Sequence, residues 1–268
     1  MINNVRLKKM LKSLVFPIFT QINKIIPKDE NLVLLYSANK GVVFCNLVLR
    51  DYLLRNRFDK KYKIVCGIEN MCYADDTENV TFVSGVKSVW TFLHAKHVFY
   101  TAGQLPIKPS RKQCVIHMQH GNEDFKSMGA NTKINNGDEF FFTYMIISSD
   151  LNIKVNARAY KCKEENIVGL GDPMCDMLLT VPQNVYDFSK YKKVLLWMPT
   201  FRQSDYLNYN DSHLDTLIPL FADDDYENLN KLLAKYNILL IVKLHPAQSA
   251  PNGCQRHFSH LRVYSHDE

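Results

Sequence analysis

The 268-residue chain lacks any apolar run approaching the roughly 20 residues that a membrane-spanning helix needs. It also lacks a short apolar stretch followed by a small-residue cleavage site, so no secretory signal is predicted. Gly-x-Gly-x-x-Gly, the Walker loop and the Gly-x-Ser-x-Gly elbow are all missing. The fingerprints of Rossmann dinucleotide enzymes, P-loop nucleotidases and α/β-hydrolases are therefore absent.

A disulfide framework is also lacking. The cysteines are scattered and odd in number, and most lie inside apolar runs: Cys45, Cys66, Cys72, Cys114, Cys162, Cys175 and Cys254. This distribution indicates reduced thiols in a cytoplasmic protein. Internal repeats and low-complexity tracts are absent, and 46% apolar with 22% charged residues is typical of a globular chain.

Acidic residues are missing from the first 28 positions. These positions hold six basic residues, which alone equal the net charge of +6, so residues 29–268 are balanced. The basic residues are Arg6, Lys8, Lys9, Lys12, Lys24 and Lys28. A nucleic-acid-binding protein usually carries its basic surface on the folded domain. The terminal charge therefore gives no support to a nucleic-acid partner.

Residues 1–28 combine this charge with apolar residues at helical spacing. The apolar positions are Leu7, Met10, Leu11, Leu14, Val15, Ile18, Phe19, Ile22 and Ile26. A basic amphipathic helix is typical of a segment that lies on an anionic membrane surface. The alternative is a helix that docks on the protein's own core, with Pro17 as a kink.

From Asn31 onward, predicted strands alternate with predicted helices. Strands are predicted at 32–36, 62–68, 80–83, 97–101, 113–120 and 141–148, and helices at 43–56, 86–94 and 151–160. Such alternation predicts an α/β fold in which helices cover both faces of a parallel sheet. We therefore expect an N-terminal Rossmann-like domain over residues 31–170.

Glycine and proline cluster in Ile167–Pro173, where we place a domain boundary. A second α/β unit over 171–268 has predicted strands at 193–198, 238–245 and 261–264, a helix at 226–236, and a loop at 203–212. A doubly wound domain usually has five or six strands. The second domain is therefore expected to be incomplete.

Two histidines are predicted to close strands, and ligands bind beyond the carboxyl ends of parallel strands. His120 is followed by Gly121, which lets backbone approach a ligand, and by Lys126, which could reach an anion. His245 precedes Pro246, which fixes the turn that leaves the strand. Each imidazole suits a general base or a ligand contact, and each could equally be a hydrogen-bonded structural histidine.

Met198-Pro-Thr-Phe-Arg202 follows a strand and offers two groups that bind phosphate. Thr200 can donate to a phosphate oxygen, and Arg202 has a planar guanidinium that matches phosphate. The alternative is a turn with an exposed arginine that binds nothing. Cys114, His117 and His120 are spaced by three, but strand alternation puts His117 on the opposite face from the other two. We therefore predict no metal site and no cofactor.

Five stretches together resemble the CDP-glycerol glycerophosphotransferase family, whose members build teichoic acids and related capsular polymers. In chain order they are Thr101-Ala-Gly-Gln-Leu-Pro-Ile-Lys-Pro109, His120-Gly121 with Lys126 and Gly129, Gly171-x-Pro173-x-x-Asp176, Met198-Pro-Thr-Phe-Arg202, and Lys243-Leu-His-Pro246. The resemblance covers residues from about 36 to 268. No single stretch is decisive, but the order of the five is specific.

The resemblance implies a glycosyltransferase-B-like fold of two Rossmann-like domains that sits peripherally on the cytoplasmic face of the membrane. It implies transfer of glycerol phosphate, or a related polyol phosphate, from a CDP-polyol to a polymer or lipid-linked acceptor, with release of CMP. His120 corresponds to the base that acts on the acceptor hydroxyl. His245 and Arg202 correspond to groups that contact the donor phosphates.

Three departures from the family pattern limit these implications. Gln119 replaces an aromatic residue, and Met174-Cys175 replaces an expected Arg-Asn pair. Family members also continue to a Thr-Asp-Tyr-Ser-Ser stretch, so the resemblance implies a C-terminally truncated member. A catalytically silent remnant and a nucleotide-sugar glycosyltransferase of the same fold remain alternatives.

Overall fold

The computed structural model describes most of the chain, in two compact units that comprise residues 1–181 and 182–268. The described residues are 14–119, 128–131, 139–179, 186–200, 203–204, 209–210, 218, 221–222, 225–245, 248 and 256–264. Each unit has its own parallel sheet and its own apolar core.

The elements alternate along the chain as predicted. The described helices are α1 (Phe16–Ile25), α2 (Phe44–Arg55), α3 (Val86–His94), α4 (Ile153–Tyr160), α5 (Asp176–Leu179) and α6 (Tyr226–Lys235). The strands of the first unit are β1 (Asp29–Tyr36), β2 (Lys63–Gly67), β3 (Val80–Val83), β4 (Ala95–Tyr100), β5 (Cys114–His117), β6 (Tyr144–Ile147) and β7 (Ile167–Gly169). Those of the second unit are β8 (Lys193–Trp197), β9 (Gln203–Ser204), β10 (Tyr209–Asn210), β11 (Ile238–Lys243), β12 (Arg256–His257) and β13 (Leu261–Tyr264).

The first unit is built on a seven-stranded sheet in the order β3-β2-β1-β4-β5-β6-β7. Every strand pair in it is parallel. The strand order reverses between β1 and β4, as in doubly wound sheets. The predicted α/β class with a parallel sheet is therefore confirmed.

Helices cover both faces of this sheet because its central strands are apolar on both sides. Val33 and Leu35 of β1 pack against Leu49 and Leu53 of α2. Leu34, on the other face, belongs to a core that also contains residues of α1 and α3. A strand buried on both faces reads as a continuous apolar run, which is the pattern of residues 32–35.

Helix α1 docks on this core through one side. Phe19 and Ile22 pack against the core, and the side chain of Asn23 is fully buried. The Asn23 amide nitrogen donates to Gln113 Oε1 at 2.7 Å and to the Lys108 carbonyl at 3.0 Å. The described part of the N-terminal segment therefore shows the docked alternative, while residues 1–13 lie outside the described residues.

Pro17 lies in the first turn of α1, where a missing N–H costs no helical hydrogen bond. Leu14 and Val15, directly before α1, are also helical, so the described residues do not test the predicted kink at Pro17. Leu14, Ile18 and Ile25 point away from the core and are 63%, 59% and 81% exposed. The helix therefore has a second apolar side that faces outward.

Strand β7 was missed by the sequence prediction, which treated Ile167–Pro173 as a boundary. The strand is only three residues long and pairs in parallel with β6. The strand ends at Gly169, inside the predicted first domain of residues 31–170. Strand β6 is shorter than predicted because the Phe141 N–H donates to Gln104 Oε1 at 2.7 Å instead of joining the sheet.

The second unit has a four-stranded sheet in the order β12-β13-β11-β8. Strands β8, β11 and β13 are parallel, and β12 is a two-residue antiparallel addition. The predicted loop at 203–212 contains the short antiparallel pair β9 and β10. Strand β8 is an edge strand of the described sheet, and its Val194, Leu195 and Leu196 are 40%, 47% and 61% exposed.

Candidate functional site

The first group of polar residues lies beyond the carboxyl ends of β4 and β5. The Thr101 hydroxyl donates to the Gln119 carbonyl at 2.6 Å. The Gln119 side-chain amide donates to Asn156 Oδ1, on α4, at 3.0 Å. Gln119 is thereby fixed at both its backbone and its side chain. Gln119 directly precedes the predicted base, His120, in the sequence.

Strand β5 ends at His117, so the predicted strand end at His120 is wrong. The cause is Gln119, whose φ of +58° turns the chain out of the extended conformation. His117 itself is buried, and its Nδ1 accepts the Gln119 N–H at 3.2 Å. His117 therefore has a structural role. His120, Gly121 and Lys126 lie outside the described residues.

Gly129, part of the same family stretch, packs against the carboxyl end of α4. Its φ is +53°, and a Cβ at this position would lie 2.4 Å from the Ala159 carbonyl oxygen. Only glycine satisfies both conditions. The position is therefore fixed by packing, which the sequence pattern alone could not show.

The stretch Gly171–Asp176 is held to the start of α2 by Asp172. The Asp172 Oδ1 accepts the Met174 N–H at 2.9 Å and lies 3.6 Å from the Cys45 Sγ, which is fully buried. Burial, together with the Asp172 charge, raises the pKa of the Cys45 thiol to about 12. Pro173 is half-buried, whereas Asp176 is exposed.

Asp172 and Cys45 were not among the sequence-predicted site residues. An aspartate that directly precedes a proline is a signal for a helix cap, and Asp172 caps the short turn Pro173–Cys175. The partner Cys45 carried no comparable signal because its sequence separation from Asp172 is large. The pair fixes the Gly-x-Pro stretch at the same edge of the sheet as Gln119.

The second group lies at the carboxyl edge of the other sheet. Lys243 is the last residue of β11, Thr200 follows β8, and His245 lies two residues beyond β11. Strand β11 ends at Lys243 rather than at the predicted His245. The Leu244 N–H still donates to the Tyr264 carbonyl at 3.1 Å. This extension places His245 just beyond the sheet, as the prediction requires.

Thr200, Lys243 and His245 lie at one edge because β8 and β11 are parallel and in register from Ile238–Lys193 to Val242–Trp197. All three are half-buried. A hydroxyl, an ammonium group and an imidazole at one sheet edge suit the binding of phosphate oxygens. Arg202, the fourth predicted member, lies outside the described residues.

The described residues show neither a metal cluster nor a membrane-spanning helix. Within them, no three histidine, cysteine or carboxylate side chains cluster as they would around a metal ion. Within them, too, no helix has both the length and the apolar content to cross a membrane.

Comparisons with known proteins agree on one family. The family model described as CDP-Glycerol:Poly(glycerophosphate) glycerophosphotransferase matches residues 18–267. The teichoic acid ribitol-phosphate polymerase TarL of Staphylococcus aureus (strain NCTC 8325 / PS 47) is 28% identical over 241 residues, which are 82% of this chain and 40% of TarL. TarK of the same strain is 26% identical over 258 residues, which are 88% of this chain and 48% of TarK.

Among solved structures, the wall teichoic acid polymerase TagF matches with a TM-score of 0.67 at 16% identity, over 97% of this chain and 66% of that one. This likeness shows a shared fold. A TagF variant soaked with CDPG matches with a TM-score of 0.60 at 14% identity, over 90% of this chain and 63% of that one.

The chain thus spans less than half the length of TarL and TarK. The family model nevertheless covers nearly all of it, and the relatives are transferases of teichoic acid synthesis. The chain belongs to the CDP-glycerol:poly(glycerophosphate) glycerophosphotransferase family.

Proposed function

We propose that this protein transfers glycerol phosphate, or a related polyol phosphate, from a CDP-polyol to a hydroxyl of a teichoic-acid-like or capsular polymer at the membrane. The observation that carries the proposal is the placement of Thr200, Lys243 and His245 at one carboxyl edge of a parallel sheet. This is the edge at which α/β proteins bind their ligands. The CDPG soak of the related TagF supports a CDP-linked donor.

In the proposed reaction, the acceptor oxygen bonds to the phosphorus that carries the polyol. The bond from that phosphorus to the bridging oxygen breaks, and CMP departs with this oxygen. His120 takes the proton of the acceptor hydroxyl as the general base. Lys243, His245 and Arg202 stabilise the negative charge that builds up on CMP.

The two units have different tasks in this proposal. The first unit, with His120, Gly121 and Lys126, is the acceptor-side Rossmann-like domain. The second unit is the donor-side Rossmann-like domain and includes Thr200 and His245. Each unit is proposed to be one Rossmann-like domain of a glycosyltransferase-B-like fold, and Pro173 and Asp176 are proposed to bind substrate.

We further propose peripheral attachment to the cytoplasmic face of the membrane through residues 1–28. Arg6, Lys8, Lys9, Lys12 and Lys24 of this segment attract anionic headgroups, at about 1 kcal/mol each near the surface. The exposed Leu14 and Ile18 of α1 supply apolar contact on the side that does not dock. Binding should therefore depend on the fraction of anionic lipid and weaken with salt.

The test of the proposed function is CMP release by the full chain with acceptor-bearing membranes. CDP-glycerol, CDP-ribitol and a set of sugar nucleotides are supplied separately. We expect CMP from at least one CDP-polyol. Turnover of a sugar nucleotide alone would favour a glycosyltransferase, and no turnover of any donor would leave the chain as a catalytically silent member.

Matched histidine variants give the site its own test. His120→Gln should lower kcat by a factor of about 10²–10⁴, the usual contribution of a general base. His94→Gln, at the half-buried last residue of α3, is the control in the same unit. An equal loss in both variants would contradict the role of His120.

A further inference from the structure

A cavity of about 1160 Å³ lies within the first unit, at the carboxyl ends of β1, β2 and β4. Ala38, which follows β1, and Gly103, which follows β4, both line it. The strand order reverses between these two strands, and doubly wound sheets bind ligands at that point. The cavity therefore occupies a ligand-binding position. Part of its lining comes from the family stretch Thr101–Pro109, and the proposed transfer reaction uses none of those residues.

The walls of the cavity are largely apolar. Phe16 and Phe19 of α1, Val86 and Val89 of α3, and Leu105 and Phe141 of the loops contribute to the lining. An aromatic and aliphatic lining favours a ligand with a large apolar surface, because burial of that surface is the main source of binding free energy. A polyol-phosphate polymer is polar along its whole length and does not fit such walls.

The polar side chains of the lining are already paired with protein groups. Gln104 donates to the Glu139 carbonyl and accepts the Phe141 N–H, both at 2.7 Å. The Thr20 hydroxyl donates to the Phe16 carbonyl at 3.1 Å and accepts the Lys108 N–H at 3.2 Å. A polar ligand would have to break these bonds, whereas a hydrocarbon leaves them intact.

The charged side chains of the lining balance one another. Lys24 donates to Gln21 Oε1 at 2.7 Å, and Lys108 lies 4.0 Å from Glu139. Glu69 lies near Tyr36, where burial first and the Glu69 charge second raise the pKa of the phenol to about 12. With two lysines and two glutamates, the cavity is not an anion site, and its ligand is neutral where it contacts the walls.

Exposed apolar residues lie next to residues that line the cavity. Val86, which lines the cavity, is 84% exposed, and Trp90, one turn further along α3, is 63% exposed. On α1, Leu14 and Ile18 are also exposed, while Phe16 and Pro17 line the cavity. An apolar surface around an apolar cavity fits a ligand that enters from a lipid bilayer.

We propose that this cavity binds the hydrocarbon chain of a lipid-linked acceptor. The proposal rests on the proposed function for the identity of the acceptor, and on the cavity itself for the chemistry of the ligand. The bound hydrocarbon would hold the acceptor on the first unit, which also contains His120. The polar part of the acceptor would extend beyond the carboxyl edge of the sheet.

Titration calorimetry of the full chain with hexyl, octyl and decyl phosphate, each below its micelle concentration, tests the proposal. Affinity should rise about fourfold with each added methylene, as burial of a CH₂ group predicts. Glycerol 3-phosphate and CMP carry the same phosphate without the chain and should not compete. Affinity independent of chain length, or competition by CMP, would overturn the proposal.

Two valines give a matched pair of variants. Val86→Trp places a large ring at the cavity wall on an exposed position, so the fold is retained, and decyl phosphate should bind at least about tenfold more weakly. Val155→Trp, on the exposed side of α4 and outside the lining, should leave that affinity within about twofold. Equal weakening in the two variants would show non-specific adsorption and contradict the site.

The outcome is separable from that of the proposed function. If decyl phosphate binds as expected but no CDP-polyol is turned over, the cavity proposal is supported and the proposed function is contradicted. If polyol phosphate is transferred to a lipid-linked acceptor equally well by wild type and Val86→Trp, the function stands and the cavity proposal fails.

Discussion

Strands β1 and β8 have nearly the same apolar pattern but different surroundings. Leu32–Leu35 of β1 are at most 8% exposed, because β2 and β4 pair with β1 on both edges and helices cover both faces. Val194–Leu196 of β8 are at least 40% exposed, and in the described sheet β8 pairs with β11 alone. An apolar run thus predicts a strand, whereas its burial depends on which elements lie next to it.

The difference also bears on association. An exposed apolar edge strand offers unpaired N–H and C=O groups to another chain. Strand β8 presents such an edge in the described sheet, and β1 does not. We infer that β8 is a place where a further strand can add to the second sheet.

The largest expected effect is on unfolding free energy. Leu34→Ala should lower it by about 3–5 kcal/mol, because Leu34 is fully buried and its loss leaves a cavity. Leu196→Ala, at 61% exposure, should cost less than about 1 kcal/mol. Urea denaturation of both variants measures the two changes in unfolding free energy. Equal losses of unfolding free energy in the two variants would mean that β8 is covered in solution, and would contradict the difference in burial between β1 and β8.

The next effect extends the contrast to two glycines at the carboxyl edge of the first sheet. Gly129 and Gly171 both have positive φ, but a Cβ at Gly171 would meet nothing within 4 Å. Gly129→Ala should cost about 2–5 kcal/mol from strain and overlap with Ala159, and Gly171→Ala about 1–2 kcal/mol from strain alone. Thermal unfolding of the two variants compares them. A larger cost at Gly171 would contradict the assigned packing of Gly129.

A smaller effect concerns association through β8. Leu196→Lys puts a charge on the exposed edge strand and should reduce concentration-dependent light scattering, with less than about 0.5 kcal/mol change in unfolding free energy. Leu178→Lys, at a position on α5 that is 73% exposed, is the control. If both variants reduce scattering to the same degree, general solubility rather than the edge of β8 explains the effect.

The smallest effect is the pH dependence from Lys28 at the end of α1. Burial lowers the pKa of Lys28 from 10.5 to about 8. Between about pH 8 and 10.5 the unfolded chain therefore binds more protons at this side chain, so its contribution to stability rises with pH. In Lys28→Gln this rise should be missing, with Lys24→Gln as the matched control. A stability profile unchanged by Lys28→Gln would contradict the assigned burial.

Much of the fold follows from the sequence because most strands are continuous apolar runs and most helices are amphipathic. Strand β1, strand β11 and helix α3 lie within a few residues of their predicted bounds. Strand β7 escaped prediction because three residues before a glycine-rich turn give no period to detect. The end of β5 escaped because a positive φ at a glutamine has no signature in residue type.

The candidate site was predicted by its motifs rather than by its contacts. Thr200, Lys243 and His245 lie at one sheet edge, as strand ends in register require. The bond between Thr101 and Gln119 and the contact between Cys45 and Asp172 join residues far apart in the chain. Such pairs depend on the strand order of the whole sheet, and a single sequence does not reveal them.

The proposed division of labour between the two histidines is tested most directly by the affinity for CDP-glycerol. Titration of the donor into His120→Gln and His245→Gln separates donor binding from base catalysis. His120→Gln should bind the donor as wild type does, and His245→Gln should bind it at least about tenfold more weakly, as loss of a phosphate contact implies. The reverse pattern, or unchanged donor affinity in both variants, would contradict the assignment of the donor to the second unit.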